Sequence, residues 1–278
     1  MKRERVTITI REELLRRVDD MIDNEKIRTR SHAVEYLLTQ SLKSSVRTAL
    51  VLAGGKGVRL KPLTEELPKS LLPVRAKPIL EYQVELLRSA EVRNIFILVG
   101  HLGERIKYHF GDGSRLGVHI RYIEQGEGGI GTGHALWLAK NYLSETFLLF
   151  YGDVLFDMNL ADFMRHHDET GSMATMALTS MKYPSEYGVA KLRGSKIVEF
   201  TEKPRENAAL SRVVSAGIFT FAPAIFDYLP KRPDLALERD VFPKLAGEEK
   251  LTGYLFEGQW FDIGTQEIYA RAIREWRK

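Results

Sequence analysis

Residues 48–60 read Thr48-Ala49-Leu50-Val51-Leu52-Ala53-Gly54-Gly55-Lys56-Gly57-Val58-Arg59-Leu60. An apolar run of strand length passes directly into a glycine-rich, cationic loop. Ala53, Gly54, Gly55 and Gly57 remove bulk from the turn, so backbone amides can come close to a ligand. Lys56 and Arg59 add fixed positive charge. Pro62 and Pro68 then stiffen the following loop, and Lys69 follows. A strand that ends in such a loop is a phosphate site in general terms. It is not a Walker loop, because Gly-x4-Gly-Lys-Ser/Thr is absent.

Working outward, strand-like runs at 48–52, 95–99, 118–123 and 147–151 alternate with helical patterns at 79–90, 103–110 and 132–142. Such alternation argues for an α/β domain with a mostly parallel sheet. Past residue 172 the strands crowd together at 173–180, 188–193, 196–201 and 214–221, which predicts an antiparallel extension. A helix over 265–276 closes the pattern. No repeat of fixed period and no low-complexity tract interrupts it.

The first 45 residues follow another pattern. Val6, Ile8 and Ile10 alternate with Arg5, Thr7 and Thr9, which is strand periodicity. Leu14, Leu15, Val18, Met21 and Ile22 then fit one helix face. Thr29 or Ser31 can cap a second helix carrying Val34, Leu37, Leu38 and Leu42. A unit of this size has a marginal core, and a lone strand lacks a ladder partner. Pairing two copies meets both needs. The segment resembles the ribbon-helix-helix family of DNA-binding proteins over residues 3–43. That resemblance implies a homodimer, or a dimer of dimers, whose ribbon would present Arg5, Thr7 and Thr9 to double-stranded DNA. Arg28 and Arg30 would flank a phosphate at the second helix. Oligomerisation without DNA is the competing reading.

Composition sets outer limits. The 278 residues suggest about two domains, expected at 1–45 and 46–278. The chain is 44% hydrophobic and 28% charged, an ordinary composition for a packed core. With no cysteine, disulfides, thiol catalysis and cysteine zinc sites are excluded. No apolar run approaches membrane-spanning length and the N-terminus has no signal-peptide pattern, so the expectation is a cytoplasmic protein without a membrane partner. The net charge is +4. Residues 1–45 hold ten Lys/Arg against eight Asp/Glu, so half of that surplus lies in a short piece, which suits a polyanion there.

The run 52–64, with Pro68-Lys69-Ser70-Leu71-Leu72-Pro73-Val74 and Lys77-Pro78-Ile79-Leu80, closely resembles the signature of sugar-1-phosphate nucleotidyltransferases. The resemblance covers about residues 46–276. It implies a Rossmann-like, GT-A-like mixed sheet, a nucleoside triphosphate and a sugar 1-phosphate as substrates, and Mg²⁺ as cofactor. Val58 departs from it, since the family usually carries Thr there. A competing signal, Gly126-Glu127-Gly128-Gly129-Ile130-Gly131, matches a dinucleotide fingerprint and has Asp153 22 residues further on. In the resembled family this stretch is a loop against the nucleotide base, matched by Gln125, Gly131 and Thr132.

Asp153 in Tyr151-Gly152-Asp153-Val154 and Asp262 in Trp260-Phe261-Asp262-Ile263-Gly264 both follow strand-like runs. Spacing alone reads each as a turn or cap residue; the resemblance implies metal ligands. It also implies catalytic roles for Arg59 and Lys69 beside Asp153, with Arg59 on the departing pyrophosphate. Tyr187, Gly188, Glu202, Lys203, Ala216 and Gly217 are implied to hold the sugar phosphate, with Ser215 replacing the family's Asn. His101, His166 and His167 lack ligand spacing and are expected at the surface. The resemblance points first to guanylyl transfer to mannose 1-phosphate, with thymidylyl or uridylyl transfer to glucose 1-phosphate close behind. No β-helix acyltransferase domain is expected. Two alternatives stay open: a ligand-sensing regulator with a non-catalytic domain, and an enzyme whose first unit only oligomerises it.

Overall fold

A computed structural model describes residues 6–23, 27–42, 46–126, 131–205 and 208–278. The chain divides into two compact units, Met1–Ser45 and Val46–Lys278.

In the first unit, residues 6–10 form neither strand nor helix. Helix α1 spans Glu12–Asp19 and α2 spans Arg30–Leu42. Glu12 and Glu13 open α1 while Arg16 and Arg17 close it, matching the helix dipole. Thr29 caps α2, its hydroxyl accepting from the His32 amide at 3.1 Å. Among the described residues of this unit, Val18, Ile27 and Ala33 are the buried apolar ones, with Met21, Ile22 and Val34 packed on them. The expected inward face of 6–10 is not buried in the single chain: Val6 is 74% and Ile8 56% exposed. Leu14, Leu37 and Leu38 are also exposed. The reason is physical, since an isolated strand has no ladder and three buried side chains make little core.

The second unit begins with β1 (Thr48–Ala53), the hairpin β2 (Pro73–Val74) and β3 (Lys77–Pro78), and α3 (Ile79–Ser89). Then come β4 (Asn94–Val99), α4 (Gly103–Phe110), β5 (His119–Glu124), α5 (Thr132–Leu138), β6 (Phe147–Tyr151), β7 (Val154–Phe156) and α6 (Leu160–Thr170). The chain continues with β8 (Ala174–Ser180), β9 (Gly188–Arg193), β10 (Lys196–Glu202) and β11 (Val213–Phe221). Last are α7 (Phe242–Gly247), β12 (Leu251–Leu255), β13 (Trp260–Asp262) and α8 (Gln266–Glu275).

Nine strands form one mixed sheet in the order β5-β4-β1-β6-β11-β8-β12-β10-β9. Strands β5, β4, β1 and β6 run parallel, as does the pair β8–β12. Strand β11 runs antiparallel to β6 and β8, and β10 to β12 and β9. The parallel part is apolar on both faces because both are covered. Val51, Ile97 and Phe150 belong to one buried cluster, Leu50, Leu98 and Leu149 to the other, as the two-residue period requires.

Helix 132–142 was expected whole; α5 stops at Leu138, followed by a tighter turn over Lys140–Tyr142. His167 is not a surface residue. It is 4% exposed on α6, with Nδ1 2.7 Å from the Thr175 hydroxyl. Among the described residues, no helix is long and apolar enough to cross a membrane.

Candidate active site

Strand exits bring the polar residues together. Strand β1 ends at Ala53, and the next residues form the wall of a cavity of about 1020 Å³. Ala53, Gly54, Gly55, Lys56, Lys69, Gln125, Gly131, Thr132, Tyr151 and Asp153 line it. All the expected nucleotide residues except Gly57 are therefore in one place. A Cβ on Gly54 would lie 2.0 Å from Gln125 Oε1, so the loop and Gln125 are in close packing. A Cβ on Gly55 would meet nothing within 4 Å, so the space beside the loop is open there. Gly57 serves the turn instead: its φ is +60°, and its carbonyl accepts from the Thr64 hydroxyl at 2.8 Å. His101 also borders this cavity. Residues 127–130 of the dinucleotide-like motif lie outside the described residues.

A second, smaller cavity of about 150 Å³ is lined by Tyr187, Gly188, Glu202, Lys203, Ala216 and Gly217, the complete expected sugar-phosphate set. Arg59, Ser215, Glu238, Asp262 and Gly264 share it. Arg59 therefore faces the sugar-phosphate side. A Cβ on Gly264 would lie 3.2 Å from an Arg59 terminal nitrogen, so glycine there leaves room for the guanidinium. Lys203 has a φ of +43°, rare for a residue with a side chain, and its amide donates to the Tyr187 carbonyl at 3.1 Å. Gly188 admits no side chain, because a Cβ would lie 2.3 Å from the Phe200 ring. Burial pushes the Glu202 carboxyl up, and the Glu238 charge adds to it.

The two aspartates meet between the cavities. Asp262 pairs with Val154 across the antiparallel β7–β13 ladder. The Ile263 amide donates to the Asp153 carbonyl at 3.0 Å. Burial first, and the Asp153 charge second, hold the Asp262 carboxyl above the usual range, while Lys69 and Arg59 oppose the rise. Lys69, mostly buried, forms an ion pair with Asp153. Gln83 supports this exit: its amide nitrogen donates to the carbonyls of Tyr151 at 2.9 Å and Val154 at 2.6 Å.

The donor set suits Mg²⁺. Among the described residues no group of three or more His, Asp or Glu could hold a metal alone. Two carboxylates whose like charges repel, open to cavities that could admit phosphates, match a hard cation that takes its remaining ligands from substrate and water.

In the first unit, Thr7 and Thr9 are exposed. Arg5 lies outside the described residues. Arg28 is exposed, and its amide donates to His32 Nδ1 at 3.5 Å. Arg30 was expected beside a phosphate, but its guanidinium makes a bidentate pair with Asp19 at 2.5 and 2.6 Å. An acidic neighbour on α1 thus competes for the same fork.

Glu238 escaped the sequence reading. The run Leu237-Glu238-Arg239-Asp240-Val241 matches none of the motifs read from the sequence. It is a π-helical turn that aims Glu238 into the smaller cavity.

Residues 48–278 match the nucleotidyl transferase family. The chain belongs to that family. It is 36% identical over 242 residues to UTP–glucose-1-phosphate uridylyltransferase of Synechocystis sp., covering 81% of this chain and 62% of the relative. It is 35% identical over 240 residues to mannose-1-phosphate guanyltransferase beta-A of Xenopus laevis, covering 82% and 66%. The chain thus spans less than two-thirds of the length of these relatives. Among solved structures, one from Bacillus anthracis assigned as a glucose-1-phosphate thymidylyltransferase superposes with a TM-score of 0.76 at 27% identity. That match covers 82% of this chain and 94% of the other.

Proposed function

We propose that this nucleotidyl transferase family member joins a nucleoside triphosphate to a sugar 1-phosphate, releasing pyrophosphate. The carrying observation is that the expected nucleotide residues other than Gly57, and the expected sugar-phosphate residues, line two cavities that share Tyr151, with Asp153 and Asp262 adjacent at their meeting point. A phosphate oxygen of the sugar 1-phosphate attacks the α-phosphorus, the new O–P bond forms, and the bond to pyrophosphate breaks. The attacking phosphate monoester already carries most of its second negative charge at neutral pH, its pKa being about 6. No general base is needed.

The chain's work is to bring anions together in line. The Gly54–Gly55 amides and Lys56 receive the triphosphate. Lys203 and Arg59 both line the smaller cavity, Lys203 placed to hold the attacking phosphate and Arg59 to meet either that phosphate or the departing pyrophosphate. Lys69 keeps Asp153 in place and lends positive charge beside the α-phosphate. Asp153 and Asp262 would hold Mg²⁺, which supplies charge neutralisation to the phosphates when bound. Glu202 accepts from sugar hydroxyls.

Guanylyl transfer to mannose 1-phosphate is the first expectation, and uridylyl or thymidylyl transfer to glucose 1-phosphate the second. Relatives named for guanylyl and uridylyl transfer match about equally well, which supports the class above either choice. A pyrophosphate-release screen of four triphosphates against mannose and glucose 1-phosphates decides it. No release from any pair would favour a ligand-sensing role.

We also propose that the first unit self-associates through Val6, Ile8, Leu14 and Leu38, whose exposure on so small a core supports pairing with a second copy. A ribbon so formed would present Thr7 and Thr9 to DNA, with Arg5 beside them. Sedimentation of the full chain against Ile8→Asp tests the pairing. A mobility shift at two salt concentrations tests DNA, and binding insensitive to salt would remove that part.

A further inference from the structure

Glu238 lines the smaller cavity and reaches the wall of the larger one through other side chains. Its Oε2 accepts from the Thr132 hydroxyl at 2.6 Å, and its Oε1 accepts from the Tyr151 hydroxyl. A threonine hydroxyl has one hydrogen, so Thr132 is committed to Glu238, while its lone pair accepts from the Leu237 amide at 2.9 Å. Thr132 lines the larger cavity, Glu238 the smaller, and Tyr151 both.

Little slack exists along this path. The Leu235 carbonyl accepts from the amides of Gly133 at 2.9 Å and His134 at 3.0 Å. A Cβ on Gly131 would lie 2.4 Å from that same oxygen, and one on Gly133 2.6 Å from Leu235 Cγ. On the other side, the Tyr151 ring lies 5.4 Å from the Phe219 ring. A Cβ on Gly217, whose φ is +73°, would lie 3.0 Å from Tyr151 Cδ2. Gly217 lines the sugar-phosphate cavity. The turn carrying Glu238 is itself anchored: Asp240 accepts from the Ala236 amide at 2.9 Å and pairs with Arg232 at 2.6 Å. Close-packed, hydrogen-bonded groups of this kind pass a displacement on rather than absorb it.

We propose that Glu238 is a positioning residue that couples the two cavities, so that a nucleotide against Thr132 changes the grip on the sugar phosphate at Gly217. The path is Thr132, Glu238, Tyr151, Gly217. It rests on the assignment of the cavities made above.

The test uses the full chain and whichever of UTP with glucose 1-phosphate or GTP with mannose 1-phosphate releases pyrophosphate. Thr132→Val, although on the nucleotide side, should raise KM for the sugar phosphate about tenfold, and Thr132→Ser should restore it. In a Glu238→Ala background, Thr132→Val should have no further effect on that KM. An unchanged sugar KM in Thr132→Val, or penalties that simply multiply in the double variant, would overturn the coupling. If neither pair turns over in the parent protein, the enzymatic assignment fails separately. Calorimetric titration with glucose 1-phosphate, with and without UTP, then decides. The coupling stands if UTP changes the affinity in the parent chain but not in Glu238→Ala, and falls if it changes neither or both.

Discussion

Asp153 and Asp262 are neighbours across the β7–β13 ladder: Asp262 faces Val154, and the amide after Asp262 bonds the carbonyl of Asp153 at 3.0 Å. Their charges repel, and that repulsion helps to raise the Asp262 carboxyl. Such an arrangement costs stability, and divalent cation chemistry is a reason to retain it. Asp262→Asn should therefore cut pyrophosphate release by roughly 10²- to 10³-fold, the scale of a lost electrostatic contact in a transition state. The same change should leave the thermal midpoint equal to or above that of the parent chain, because a buried like-charge contact is relieved. Retained turnover, or a chain that no longer folds, would count against this account.

Lys69 already gives Asp153 a positive partner. Removing it should have two opposite effects. In Lys69→Met, turnover falls about 10²-fold, since a charge beside the reacting phosphate is lost. At the same time the bare carboxylate pair should bind a divalent cation more tightly without nucleotide. Mn²⁺ titration followed by electron paramagnetic resonance reads the second effect. Weaker Mn²⁺ binding in the variant would show that Lys69 does not compete with the cation.

Gln83 is buried on α3 and far from the cavities in sequence, yet its two bonds bracket Gly152 and Asp153. Gln83→Leu keeps the volume but removes the donor to the part-buried Tyr151 carbonyl and the buried Val154 carbonyl. The expected loss is about 1–3 kcal/mol of stability per orphaned group, read by urea denaturation. Turnover should fall along with it, because the strand exit loosens. A stability loss with normal kcat would make Gln83 structural only.

Much of this site was legible because strand exits carry recognisable wording. The β1 loop, Gly152-Asp153, Glu202-Lys203 and Trp260-Phe261-Asp262 each sit at the end of an apolar run, and the mixed sheet gathers those ends. What could not be read depends on partners remote in sequence. Glu238 looks like one charge among several until Thr132 and Tyr151 are placed against it. Strand β12 hides behind Gly253, which reads as a breaker. It is glycine because a Cβ would lie 2.4 Å from Leu178 Cδ1. Arg30 is a parallel case: a basic residue at a helix start suggests a phosphate, and the sequence does not show that Asp19, eleven residues earlier, pairs with it.

Gly54 and Gly55 are adjacent but should respond differently to a methyl group. At Gly54 the new Cβ would meet the end of the Gln125 side chain at 2.0 Å. That side chain can swing away, so Gly54→Ala should fold, with Gln125 displaced from the nucleotide wall. KM for the triphosphate should rise about tenfold with a smaller change in KM for the sugar phosphate. At Gly55 the space is empty in the free protein. Gly55→Ala should leave the thermal midpoint unchanged and still weaken the triphosphate if its amide is approached closely. Equal triphosphate KM values in both variants and the parent would remove this loop from the nucleotide site.

His167 supplies a prediction independent of catalysis. Burial, with the nearby His166 charge adding to it, lowers its pKa from 6.5 to about 4. In the unfolded chain the imidazole takes up a proton as pH falls through 6.5; in the folded chain it stays neutral until about pH 4. Between those values the unfolded state binds more protons, so stability declines as pH falls. The full span is worth up to about 3 kcal/mol by pH 4, from about 1.4 kcal/mol per pH unit. His167→Gln offers the Thr175 hydroxyl an alternative partner without titrating. It should be less stable than the parent chain at pH 7.5, and the gap should narrow steadily towards pH 4.5. Urea midpoints at four pH values measure that gap. A constant difference would mean that His167 is protonated equally in both states, and the buried neutral imidazole would then be wrong.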